Sequence, residues 1–120
     1  MTMKHFNAKC VSATVAGDIF RVMFEQDDDS LENYFLIQRN FEFAEIDELN
    51  RCTIESDDTT FCGSSKIGRV EFSENRFYIR LADDVKNELE ITYNTSKKNY
   101  EKVKKVLSTI LSDQNCLVIQ

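Results

Sequence analysis

Residues 69–81 read Arg-Val-Glu-Phe-Ser-Glu-Asn-Arg-Phe-Tyr-Ile-Arg-Leu, and no other stretch limits the fold so tightly. Val70 and Phe72 alternate with Glu71; Phe77, Ile79 and Leu81 alternate with Tyr78 and Arg80. A period of two places each apolar set on one face of a strand. Glu74-Asn75 leaves a two-residue gap, the length of a tight hairpin, and Asn tolerates the left-handed region. The stretch predicts an antiparallel hairpin with an apolar face that something else must cover.

The rest of the chain supplies further strands. In Asn33–Arg39, four large apolar side chains stand in a row between polar residues. A run this short, aromatic and β-branched, predicts a central strand buried on both faces. Phe6–Val15 reads as a first strand and Ile19–Phe24 as its partner across the turn Ala16-Gly17-Asp18. On the partner, Phe20, Val22 and Phe24 share one face and Ile19 and Met23 the other. Arg51–Ser56, centred on Ile54, is a short strand with Thr59–Cys62 as its candidate return partner. Leu89, Ile91 and Tyr93 mark one more. Within Asn40–Asn50, Phe41 and Phe43 alternate with Glu42, and beyond Ala44 the chain fits a helical turn or an acidic loop equally; Ala82–Asn87 is a polar connection with room for one helical turn.

Thr95 or Ser96 can cap a helix, because either hydroxyl accepts from an early helical N–H. Tyr100, Val103, Val106, Leu107, Ile110 and Leu111 then fall on one stripe, with Lys97, Lys98, Lys102, Lys104 and Lys105 around it. The tail, Cys116–Gln120, either docks as an edge strand or covers part of the core. The sum predicts an α+β domain: a mostly antiparallel sheet of about five to seven strands with one long C-terminal helix on one face. Residues 1–120 form a single domain in this reading. Residues 6–94 make the sheet with its acidic loops, 95–113 the helix and 114–120 the apolar tail.

Composition narrows function mainly by exclusion. The formal charge of −6 disfavours nucleic acid, whose phosphates need a basic face. Cys10, Cys52, Cys62 and Cys116 form no C-x-x-C pair and His5 is the single histidine, so no zinc site is expected. Asp27, Asp28 and Asp29 are contiguous and lack the central Gly of a calcium loop. Gly63-Ser64-Ser65-Lys66 lacks the length of a phosphate-binding loop. Glu42 and Glu55 are a conceivable acid–base pair, but with so many acids chance proximity explains such a pair better. No catalytic residue, cofactor or metal is expected. No apolar h-region follows Met1–Phe6 and no run approaches the ~20 residues of a membrane span. The expectation is a cytoplasmic protein with reduced cysteines.

Charge is unevenly spread. Residues 18–58 hold thirteen acids against Arg21, Arg39 and Arg51, a formal −10, whereas residues 1–17 and 59–120 are each +2. Acidic loops keep a protein soluble, and they also steer a cationic partner. Asp27, Asp28, Asp29, Glu45, Asp47, Glu48, Asp57 and Asp58 are the candidate partner contacts. Tyr34 and Phe35 read as core. Arg39 either pairs with nearby acids or reaches a partner.

Tyr34-Phe35-Leu36-Ile37-Gln38-Arg39 resembles the Tyr-x-Leu/Ile-x-Gln-Arg block of the Imm10 family of bacterial polymorphic-toxin immunity proteins. The order of features after it is similar as well: Thr53-Ile54-Glu55, a Gly-bearing loop at Cys62–Ile67, the Val70–Leu81 hairpin, Leu89–Tyr93 and a closing helix. Where the family has an aromatic-glycine pair, this chain has Cys62-Gly63. The resemblance implies a cytoplasmic inhibitor, a monomer or weak dimer, that neutralises one cognate toxin domain by contact and performs no chemistry. It gives Tyr34, Leu36, Gln38 and Arg39 a structural place in the block. A basic nuclease is the kind of toxin that an acidic inhibitor suits. The other classes weighed are an acidic cytosolic adaptor or secretion chaperone and, further off, a small enzyme.

Overall fold

The computed structural model describes residues 3–26, 33–42, 52–57, 61–63, 67–82, 87–112 and 114–120. The strands are β1 (Lys4–Ala8), β2 (Cys10–Ala16), β3 (Ile19–Glu25), β4 (Tyr34–Asn40), β5 (Thr53–Ser56), β6 (Ile67–Phe72), β7 (Arg76–Leu81), β8 (Glu88–Tyr93) and β9 (Leu117–Ile119). One helix, α1 (Lys97–Ile110), precedes β9. The α+β class is as expected, but the strands form two sheets. One has the order β1-β8-β7-β6-β9 and the other β2-β3-β4-β5.

The division arises at Lys9. Phe6 and Ala8 are buried, and so are Val11 and Ala13, so the buried set shifts from even to odd positions between them. One continuous strand cannot do this, since a one-residue slip sends every side chain to the opposite face. The expected strand Phe6–Val15 is therefore two strands. β1 runs parallel to β8, and β2 pairs antiparallel with β3. The β2–β3 turn is Gly17-Asp18, with Gly17 at φ +61°. A glycine with positive φ at the first central position is the II′ pattern, whose twist matches the flanking strands.

The hairpin β6–β7 forms in the expected register, with Phe72 opposite Phe77 and Val70 opposite Ile79. Asn75 is not left-handed; among non-glycine residues described, Asn33 is, at φ 52°. The β6–β7–β8 meander carries a parallel strand at each edge, β1 against β8 and β9 against β6. The apolar tail thus docks as an edge strand, with Gln120 N–H donating to the Phe72 carbonyl at 2.8 Å. Near Thr59–Cys62 the described pairing is a single bridge, Ile54 with Gly63. The expected features within Phe43–Asn50, and within residues 83–86 of the Ala82–Asn87 connection, lie outside the described residues.

The sheets meet through aromatic rings. Phe77 of the first sheet sits 4.7 Å from Phe24 and 5.5 Å from Phe35 of the second, centroid to centroid. All three are fully buried. Each such side chain contributes about 1.5–3 kcal/mol by leaving water. Helix α1 starts at Ser96, whose hydroxyl accepts from the Asn99 N–H at 3.1 Å. It buries Tyr100, Val103, Val106, Leu107 and Ile110. The helix lies along β2 and β3, and Tyr100 also stacks on Phe72 of β6 at 5.3 Å. The helix therefore touches both sheets, where the sequence predicted one sheet beneath it.

Candidate protein-binding surface

Each sheet has an outer face, and the two are built differently. On the first sheet, outward side chains form a charge ladder across neighbouring strands. Arg69 bonds Glu71 at 2.6 Å and Arg76 bonds Glu71 at 2.9 Å, while Arg76 also bonds Glu90. Tyr78 donates to Glu88, and the Arg76 guanidinium lies 5.2 Å above the Tyr78 ring. Asn7 donates to Thr92, and His5 lies 3.8 Å from Glu90. Hydrogen bonds from Arg69 and Arg76 hold the Glu71 carboxyl below the usual carboxylate range, against a smaller opposing effect of burial. The hydrogen bond to Glu90 pushes Arg76 up, burial opposing it. Acids and bases here neutralise one another.

The outer face of the second sheet follows from the register of β2 to β5. Ser12, Met23, Leu36 and Glu55 form one row across the four strands. Thr14, Arg21, Gln38 and Thr53 form the next, and Cys10, Glu25 and Tyr34 the row on the other side. Arg21 donates to the neutral Gln38 side chain at 2.9 Å. Tyr34 donates its hydroxyl to Glu55 at 3.1 Å. Burial, this bond and nearby negative charge raise the Tyr34 pKa above its ordinary value. Met23 and Leu36 are adjacent and half-buried, and Ile19 on the same face is 37 % exposed. The expectation that Asn33–Arg39 is buried on both faces is corrected here. Phe35 and Ile37 are fully buried, but Tyr34 and Leu36 are half-buried on this outer face. No described element lies over them.

Of the predicted contact residues, Asp57 is the one among the described residues. Asp57, just past β5, bonds Lys4 of β1 at 3.1 Å and ties the sheets together at their edges. Desolvation is the largest single influence on its carboxyl and pushes the pKa up. The Asn33 backbone bond and the Lys4 ammonium outweigh it, so the net shift is downward. Asp27, Asp28, Asp29, Glu45, Asp47, Glu48 and Asp58 lie outside the described residues. The points where their segments leave the sheet are described. Gln26 N–H donates to the Asn33 carbonyl at 3.0 Å and Asn33 bonds back to Gln26, closing the base of segment 27–32. Asp57 adjoins that base. Segment 43–51 leaves from Glu42, beyond the other end of the seven-residue β4. At ~3.3 Å per residue β4, which separates the two departure points, is about 20 Å long.

Arg39 turns inward. It is 6 % exposed and donates to the Ile110 carbonyl at 3.1 Å. Its guanidinium also lies 4.7 Å over the Phe41 ring, which meets Phe20 edge-on. The last carbonyls of a helix lack intrahelical partners and carry partial negative charge. The last turn of α1 has no basic residue of its own, and Arg39 supplies that charge from the sheet. Gln38 is half-buried on the outer face beside Arg21. The Arg39–helix contact has no local sequence signal, since the partners are 71 residues apart.

Among the described residues, no three His, Cys, Asp or Glu side chains gather as metal ligands, and all four cysteines are thiols. No described helix is long and apolar enough to cross a membrane. No family model, curated protein or solved structure matches the chain.

Proposed function

We propose that this protein is an immunity protein of the Imm10 type, which binds a cognate polymorphic-toxin domain in the cytoplasm and blocks it by contact. The observation that carries the reading is the segregation of charge. The segment at −10 supplies β3, β4, β5 and their connections, while the remaining residues are net positive. A strong excess of one sign within one segment of a small domain accelerates encounter with a partner of the opposite sign and rejects like-charged ones. A toxin domain with a basic, nucleic-acid-binding surface is such a partner. The Tyr34–Arg39 block, which prompts the family assignment, lies in strand β4 within that acidic segment. No catalytic step is assigned to the chain. Its work is steric and electrostatic.

Co-expression tests this reading. The toxin domain encoded beside the chain's own gene should arrest growth alone, and this protein should restore it and co-purify with the domain as a stoichiometric complex. Persistent arrest with no complex contradicts the proposal. Binding without rescue would fit an adaptor or secretion chaperone.

A further inference from the structure

We infer that the partner seats on the outer face of β2–β5, with Met23 and Leu36 at the centre of the contact and Glu25 and Glu55 meeting its cationic groups. The inference rests on the proposed function and adds to it the surface used. Three observations favour this face. Met23 and Leu36 are half-buried apolar neighbours on an otherwise polar sheet surface, with Ile19 exposed two residues before Arg21. Apolar centres inside polar rims are where binding energy concentrates. The carboxylate of Glu55 bonds a tyrosine hydroxyl, so its negative charge is not cancelled by that contact. On the first sheet, by contrast, Glu71 and Glu90 are each engaged by Arg76.

The occupant follows from charge. On the outer face itself Glu25 and Glu55 outnumber Arg21, and residues 18–58, which contain β3 to β5, sum to a formal −10, a balance that repels nucleic acid and anionic lipid alike. A sheet face with an apolar centre suits a folded protein surface better than a small cation. The partner is therefore a cationic protein domain.

The test uses the full chain and the co-expressed toxin domain. Leu36→Arg puts a like charge in the centre of the contact, and Glu55→Lys reverses a rim charge at an exposed position. Ser108→Arg, on the exposed side of α1, is the control. Heteronuclear NMR spectra establish that each variant is folded; if Leu36→Arg is not, Glu55→Lys alone decides. The expected result is at least a hundredfold loss of affinity for Leu36→Arg. Glu55→Lys should lose about tenfold, mostly in the association rate and mostly at low salt. The control should stay within threefold of wild type. Folded variants that bind like wild type overturn the face while leaving the proposed function standing. A wild-type chain that neither binds nor rescues overturns both. A wild-type dimer dissolved by Leu36→Arg would give the face to a second copy and also overturn the inference.

Discussion

The two outer faces of this molecule were made from the same kind of strand and ended differently. On the five-stranded sheet, Arg69, Glu71, Arg76 and Glu90 cancel one another along a ladder. On the four-stranded sheet, Arg21 meets a neutral glutamine, Glu55 meets a phenol, and an apolar pair fills the middle. A face whose charges are satisfied internally offers little to a partner. One whose charges are satisfied only by neutral groups retains a field that a partner can complete. Net charge alone does not reveal this difference; cross-strand register does.

Both faces belong to one cooperative unit if the ring contacts between the sheets hold, and the largest predicted effect tests that. Phe77→Ala removes the ring joining the sheets and should cost about 3–5 kcal/mol. Urea unfolding followed at Tyr78 and at Tyr34 should give coincident transitions, both shifted. Separate transitions would mean that the sheets are independent. Next in size is Arg39→Ala, expected to cost about 2–3 kcal/mol because a charged, buried hydrogen bond to the helix end is lost. Arg39→Lys should recover only part of this, since a point charge does not reproduce the planar contact with Phe41.

Smaller effects sharpen the contrast itself. Arg76→Ala should destabilise by about 1 kcal/mol, the value for a solvent-screened but networked pair. Arg21→Ala on the other sheet should stay within about 0.5 kcal/mol. Equal losses would erase the distinction between the faces. The ladder also predicts a pH signature. Glu71 has a lowered folded pKa, set first by the hydrogen bonds from Arg69 and Arg76. Its stabilisation is complete above the ordinary value of 4.5 and is lost as the pH falls through the folded value. Glu71→Gln should therefore flatten the acid limb of the stability profile. At the alkaline end, burial and the bond to Glu88 push Tyr78 up to about 12. That contribution holds below 10.0 and fades as the pH rises towards 12, and Tyr78→Phe should remove this limb.

Much of this was legible in the chain, for identifiable reasons. The β6–β7 hairpin and the helix stripe are local patterns, and local periodicity specifies them. The two-sheet division left a trace too: the apolar set runs Phe6, Ala8 and then Val11, Ala13, and that change of phase requires a break. The outer face of β4 was not legible. Tyr-Phe-Leu-Ile reads as buried throughout, and only topology reveals that no described element lies over Tyr34 and Leu36. The partner of Asp57 was not legible either, because Lys4, which engages it across the sheets, is distant in sequence. Arg39 was ambiguous because the helix end it serves is remote in sequence.

Under the proposed function the partner is held by one outer face and not the other. Methyl NMR of the labelled chain, titrated with the proposed toxin-domain partner, tests this directly. Met23 and Leu36 report the four-stranded face, and Val118, opposite Glu71, reports the five-stranded one. Large shifts at Met23 and Leu36 with Val118 unmoved are predicted; shifts at Val118 with Met23 and Leu36 unmoved would contradict the account.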